Sequence, residues 1–331
     1  MSWLKTTPAL FLAAFFCVSQ PCSAAADSRT MTVTLLGTGA PDPRIDRFGN
    51  STLVQAAGKT LVFDAGRGAA IRMEQAGVSM ARIDGVFLTH YHSDHTSGLP
   101  DLWLTGWLPL PPTGSRNTPL KVYGPPGVKQ LVAGLSQAYQ ADIDIRLIDE
   151  KLPPDGGKLQ AVEFDGPQIV WNEDGVTVEA FLVDHGDLVK PAYGYKVTYA
   201  GHSVVISGDT RKSNNVIKAA KGADLLLHEV AVAGEDVRGL PAIQRILAHH
   251  TSPQECGEVF ALSMPRLAAY THLVMLKDSK GVRPTEEFLT AQTRRTYVGP
   301  LVVGKDLMRF VIGEDVQVQT FDPQTGQYAT P

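Results

Sequence analysis

Four side chains able to hold a metal ion fall within six consecutive residues, His90-Tyr91-His92-Ser93-Asp94-His95. Histidine is otherwise scarce in this 331-residue chain, and three of its nine histidines sit in that window. Imidazole nitrogens with a carboxylate suit zinc and, less specifically, manganese or iron. His90 and His92, two apart, would point to opposite faces of a strand and diverge on a helix. They can meet at one ion only if the backbone turns between them. Just before them, Gly85-Val86-Phe87-Leu88-Thr89 has the apolar run of a buried strand. Ligands set where a strand gives way to a loop are anchored at one end and free to converge at the other.

The elements that must position this loop follow from the same patterning. Strands are expected at 31–37, 51–55 and 60–63, the last two joined through Ala57-Gly58 as a hairpin. A helix follows to about 75, another spans 99–107, and a strand at 120–123 breaks at Gly124-Pro125-Pro126-Gly127 before a helix over 128–139. Residues 141–174 are the least regular segment. Strands resume at 176–183, 192–199 and 202–207, with Ala200-Gly201 as a second hairpin turn. A helix near 214–220 precedes a strand at 224–228. Ser252-Pro253-Gln254-Glu255 is a capping box with proline at the first helical position. A strand at 267–271 ends at His272, and the C-terminal part adds a helix over 285–295 and strands near 301 and 308. His185, Asp209 and His272 thus fall at or just after strand ends. Two mixed sheets packed face to face with helices outside, in one α+β domain, would gather such residues along one edge.

Residues 1–26 differ from the rest: one charge (Lys5), an apolar run from Ala9 to Val18, then Ser23-Ala24-Ala25-Ala26. A short positive region, a short apolar core and small residues form a secretory signal, and the run is too short to span a bilayer. The expectation is a secreted or periplasmic protein, residues 27–331, with no membrane anchor after cleavage. Cleavage removes Cys17 and Cys22, so Cys256 alone remains and no internal disulfide can form. It takes the net charge from −4 to −5, with no long basic run, a poor footing for a polyanion.

His90-x-His92-x-Asp94-His95, then His185, Gly208-Asp209-Thr210 and His272, in that order, resemble the metallo-β-lactamase superfamily. The resemblance implies an αβ/βα four-layer sandwich and two Zn2+ ions per chain. By position, His90, His92 and His185 would hold the first and Asp94, His95 and His272 the second, with Asp209 bridging. Asp64, in Phe63-Asp64-Ala65-Gly66, would support the ligand loop. Within the superfamily the chain is most similar to ribonuclease Z and arylsulfatase-like hydrolases. Leu36-Gly37-Thr38-Gly39, Gly98-Leu99-Pro100, Tyr193-Gly194-Tyr195, Leu227-His228-Glu229 and His250-Thr251-Ser252 carry that likeness. It implies that Glu229 and His250 deliver a proton to the leaving group, with His249 competing for the role, and that Asp94 orients a water shared by the two ions.

The expected function is hydrolysis of a small ester: a phosphodiester, an aryl sulfate or a lactone. Ribonuclease Z processes precursor tRNA, but export and the lack of a long Gly- and Lys-rich arm argue against nucleic acid here. Residues 145–172 hold only Arg146, Lys151 and Lys158 as cations. In the basic loop before Gly49, Phe48 stands where asparagine is usual. tRNA 3′-processing is therefore the alternative. A non-catalytic exported zinc-binding protein should lack a ligand, and none is missing. Trp103 and Trp107 either line an apolar pocket near the ions or pack in the core, and one of Tyr193 and Tyr195 is expected to reach the site. A homodimer is implied by the family likeness alone.

Overall fold

The computed structural model describes residues 29–111 and 114–330, so the expected export signal lies outside it. β1 (Met31–Gly37), β2 (Ser51–Ala56) and β3 (Lys59–Phe63) form an antiparallel meander. The β2–β3 turn needs left-handed backbone at both central residues, which Ala57 (φ 51°) and Gly58 (φ 75°) supply. Helices and strands then alternate: α1 (Ala69–Gln75), β4 (Gly85–Phe87), α2 (Ser93–Thr96), α3 (Leu99–Trp107), β5 (Leu120–Gly124), α4 (Val128–Ala138), α5 (Gln140–Ile148) and β6 (Leu159–Glu163). Strands β3 to β6 lie parallel side by side.

The second half repeats this plan. β7 (Gln168–Glu173), β8 (Val176–Val183), β9 (Ala192–Tyr199) and β10 (His202–Ile206) pair antiparallel. After them come α6 (Asn214–Ala219), β11 (Leu225–Ala233), α7 (Pro241–Leu247), α8 (Pro253–Ser263), β12 (Leu267–Leu276), α9 (Glu286–Thr293) and β13 (Leu301–Val303), with β10 to β13 parallel. β14 (Arg309–Ile312), β15 (Val316–Asp322) and β16 (Gln327–Ala329) return to the first sheet, β14 beside β1. The result is a nine-stranded and a seven-stranded sheet.

Three apolar layers hold this arrangement together. Between the sheets, Phe63, Phe87, Trp171 and Tyr195 meet among aliphatic residues of both inner faces. Outside the first sheet, α1, α3 and α4 bury Met73, Leu102, Trp103 and Val128 against Val62, Val86 and Val122. Outside the second, α6, α8 and α9 bury Val216, Phe260 and Leu289 against Leu226 and Ala268. Each such side chain contributes about 1.5–3 kcal/mol by leaving water. Helix–sheet–sheet–helix is the expected four-layer sandwich. β11 and β12 are buried along their lengths, apart from the last residue of β12, as central parallel strands are.

Several sequence expectations need correction. Residues 141–174 are more regular than their composition suggests and contain most of α5 together with β6 and β7. β11 and β12 do not stop at His228 and His272: both continue past these polar residues, with a register shift between His228 and Val230. Of the two readings left open for Trp103 and Trp107, core packing holds: both are fully buried, the Trp107 Nε1 donates to Pro153 O at 2.8 Å, and neither lines the metal-ligand cleft. Tyr193 and Tyr195 also stay inside, with Tyr195 Oη donating to Leu88 O at 2.5 Å. The amphipathic spacing of these aromatics served the core.

Candidate metal-dependent active site

Parallel strands present their carboxyl ends along one edge, where loops can converge over a shared crevice. The first ligand loop leaves β4 and bends at Thr89. Asp64, in left-handed backbone (φ 56°) just after β3, fixes that bend: its carboxylate accepts from Thr89 N at 2.8 Å and Thr89 Oγ1 at 2.9 Å. The chain then runs extended to His92, which caps α2, and the first turn of that short helix carries Asp94 and His95 inward. The turn that His90 and His92 require is therefore built from Asp64, Thr89 and α2.

The other side chains arrive from the second sheet. His185 follows β8, and its Nδ1 donates to the His249 carbonyl at 3.0 Å, leaving Nε2 to face the centre. Asp209 follows β10 through Gly208 (φ 62°), where a Cβ would stand 2.4 Å from Tyr193 O. His272 lies within β12 in left-handed backbone (φ 42°), which turns its ring toward the same edge. All but His92 are buried.

Two donor groups result, and His250 also stands within reach of Asp209 and His272. His90 Nε2 and His185 Nε2 lie 2.9 and 3.2 Å from His92 Nδ1, and 3.9 and 3.6 Å from Asp209 Oδ2. On the other side, Asp94 Oδ2 is 3.5 Å from His95 Nε2 and 3.1 Å from His272 Nε2, and both of those nitrogens are 3.3 Å from Asp209 Oδ2. Four-coordinate zinc with bonds of about 2.0–2.1 Å sets neighbouring donors roughly 3.3 Å apart. Asp209 Oδ2 belongs to both groups, as a bridging carboxylate requires. The buried His95 Nε2 has no hydrogen-bond partner, although His95 Nδ1 is held by Asp64 Oδ2 at 2.7 Å. An inward-facing lone pair with its other nitrogen anchored is what a ligating imidazole needs. The residues fit a pair of divalent cations.

Electrostatics agree. Burial pushes His90 well below the usual imidazole range and His185 down to about 4, keeping both neutral as ligands must be. Burial opposes ionisation of Asp94, yet the hydrogen bond from His272 and the neighbouring imidazoles bring it down to about 2. His95 goes the other way: burial lowers it, but Asp209 and Asp64 outweigh that and hold it well above the usual value. The carboxylates create a field that favours positive charge at this spot.

Beside the centre stands the second constellation. Glu229, at the irregular point of β11, accepts from Thr251 N at 2.9 Å and holds His250 Nδ1 at 3.1 Å. Burial lowers the His250 pKa, but Glu229 and then Asp209 override it and raise it to about 9. Of the adjacent histidines, His250 is the one whose ring meets Glu229, while His249 contributes its carbonyl to His185. A cavity of about 650 Å³ opens on His92, Asp94, His185, Asp209, His250 and His272.

Sequence reasoning missed three supports. Buried Asn50 donates to Asp64 Oδ2 at 3.2 Å and accepts from Thr271 Oγ1 at 3.3 Å, tying the β1–β2 side to β12. Thr89 and Thr210 hold backbone and carboxylate groups around the ligands, Thr210 Oγ1 contacting both Asp184 N and Asp184 O. Thr210 stood in the Gly208-Asp209-Thr210 motif without a role, and nothing in the local pattern of Asn50 or Thr89 separates them from ordinary turn residues. Cys256, buried with Sγ 3.4 Å from Glu229 O, packs behind the pair rather than facing the cleft.

Comparison with known proteins places the chain in a family. A family profile described as "Beta-lactamase superfamily domain" matches residues 59–273. Ribonuclease Z of Mycolicibacterium paratuberculosis is 36% identical over 290 residues, covering 84% of this chain and 96% of that protein. Among solved structures, the metallo-beta-lactamase fold protein YhfI of Bacillus subtilis superposes with a TM-score of 0.65 at 18% identity, covering 86% of this chain and all of that one (100%). Human tRNase Z, short form, gives a TM-score of 0.59 at 22% identity over 85% of this chain and 98% of that one. With its fold, its metal-ligand edge and these relatives together, the chain belongs to the beta-lactamase superfamily of metal-dependent hydrolases, in the ribonuclease Z branch.

Proposed function

We propose that this protein is a two-zinc phosphodiesterase that cleaves RNA in the manner of ribonuclease Z. The sequence expectation placed a small ester first and RNA second. The relatives reverse that order, since ribonuclease Z proteins match across 84% of the chain. The observation that carries the reading is the Asp209 Oδ2 oxygen, which lies within 3.9 Å of His90 and His185 and 3.3 Å of His95 and His272, with Glu229 and His250 alongside.

Bound divalent cations would supply Lewis acidity and bring the ionisation of a captured water near neutral pH. The rest of the work falls to side chains. His90, His92, His185, Asp94, His95, His272 and Asp209 would hold the ions, while Asp64 and Thr89 keep the loop in its bent form. His250, protonated and fixed through Nδ1 by Glu229, holds a proton on Nε2 for the leaving oxygen as the P–O bond breaks. A direct assay tests the whole reading. Metal-loaded protein should release a 3′ trailer from a precursor tRNA and hydrolyse bis-p-nitrophenyl phosphate; turnover of neither would overturn it.

A small phosphodiester is the second reading, favoured by the sparse cations at the cleft. Lys277 and Arg283 are the cations lining it, and Arg283 is paired with Asp42. Location bears on the choice. Export through residues 1–26 would separate the protein from precursor tRNA, and N-terminal sequencing of the protein from cells decides it: a start near Asp27 favours the small phosphodiester, and an intact Met1 favours RNA.

A further inference from the structure

From the metal-ligand edge the cavity extends along β12, and its character changes sharply. Val274 and Leu276 lie two and four residues beyond His272, about 7 and 13 Å farther at roughly 3.3 Å per strand residue. Ile243 and Ile246, three apart and so on one face of α7, line the cleft together with them. α7 buries none of its residues, so these isoleucines are not used by the core. Beneath them Ala40, Ala231 and Val274 form a small separate apolar cluster with Leu247 and Leu276 against it. Both cations of the cleft stand past this wall, around Lys277 and Arg283, and Arg283 is held by Asp42 and by Met275 O at 2.7 Å. A wall without donors cannot track a run of phosphates; it can receive one uncharged group carried by the scissile phosphate.

We propose that Ile243, Ile246 and Val274 form the subsite for one arm of the phosphodiester and select a flat, uncharged ring on that arm. The ring lies one sugar or one ester oxygen away from phosphorus, over Val274, with α7 closing the opposite side. This chemistry is common to a nucleobase of RNA and to the aryl group of a small diester. The proposal rests on the phosphodiesterase reading and adds which part of the substrate the enzyme recognises beside the reacting centre.

Bis-p-nitrophenyl phosphate and methyl p-nitrophenyl phosphate share a leaving group and differ in the second arm; their intrinsic reactivities cancel between variants, so the change in their kcat/KM ratio on substitution isolates this contact. The wild-type protein should prefer the diaryl ester. Ile246→Ser, and equally Ile246→Trp, which fills the slot, should each lower that ratio about tenfold, chiefly through KM. Metal content and the thermal melt of each variant verify that it is folded. A second arm uses RNA hairpins carrying either a normal nucleotide or an abasic residue at the cut. A base preference that Ile246→Ser removes identifies a nucleobase as the occupant; a ratio change with aryl diesters alone identifies a small molecule. An unchanged ratio in folded variants that still hydrolyse diesters overturns the subsite and leaves the phosphodiesterase reading intact. Absence of diester turnover by the metal-loaded wild type overturns both.

Discussion

His92 is the exposed member of the donor set and Asp209 is the buried one common to both groups, so they test different things. His92→Ala removes one donor from one group and should release metal from that group alone. Asp209→Ala removes the oxygen common to both, and metal content should fall on both sides with turnover lost; metal analysis of the purified variants reads this directly. His250 makes a sharper prediction. Its pKa of about 9 keeps it protonated at neutral pH, and activity that needs its proton declines as pH rises through that value. Nearby divalent cations would repel the imidazolium and move this limb lower. His250→Gln keeps a polar group beside Glu229 but carries no transferable proton, so the alkaline limb should vanish and turnover of a substrate with a basic leaving group should fall by about 10²–10⁴. Cleavage of p-nitrophenyl esters, whose leaving group needs no proton, should fall far less. Equal losses for both substrates would make His250 a packing residue.

Strands and helices decide how much of this site a sequence can display. The early histidine cluster was legible because few residue types hold metals and it sits beside an apolar strand, whereas roles for His185, Asp209 and His272 came from the family resemblance. The capping box of α8 was legible too: Ser252 and Glu255 meet in it, with Pro253 at the first helical position. What was not legible is how polar residues sit inside central strands. Glu229 and His272 interrupt apolar runs, and local pattern predicts that the strands stop there. Instead the neighbouring apolar residues keep pairing, and the irregularity is absorbed by a register shift at Glu229 and positive φ at His272. The buried tryptophans of α3 could not be assigned to core or cleft by spacing alone, because either fate gives the same periodicity. Turn geometry gives a test at this scale. Gly208→Ala would place a Cβ 2.4 Å from Tyr193 O in left-handed backbone, moving Asp209. Chelator competition should show zinc affinity lowered about 10–100-fold, as for other groups that orient ligands; unaltered affinity would mean that the turn does not position Asp209.

Across the whole molecule, the two half-structures contribute unequal parts to one edge. The first sheet supplies the His90–His95 loop and Asp64, and the second supplies His185, Asp209, Glu229, His250 and His272. Neither half alone holds a complete donor group, so assembly of the sandwich and assembly of the centre are one event, and bound metal should stabilise the whole fold. The net charge of −4 and the paired Arg283 mean that affinity for a polyanion has little long-range attraction behind it. Substrate choice therefore falls to contacts at the cleft. A crystal structure of the zinc-loaded protein, with anomalous difference density recorded at the zinc edge, tests the central claim most directly. Two peaks are expected, one among His90, His92 and His185 and one among Asp94, His95 and His272, with the Asp209 carboxylate between them. No peak at either group, or zinc bound only elsewhere on the surface, would contradict it.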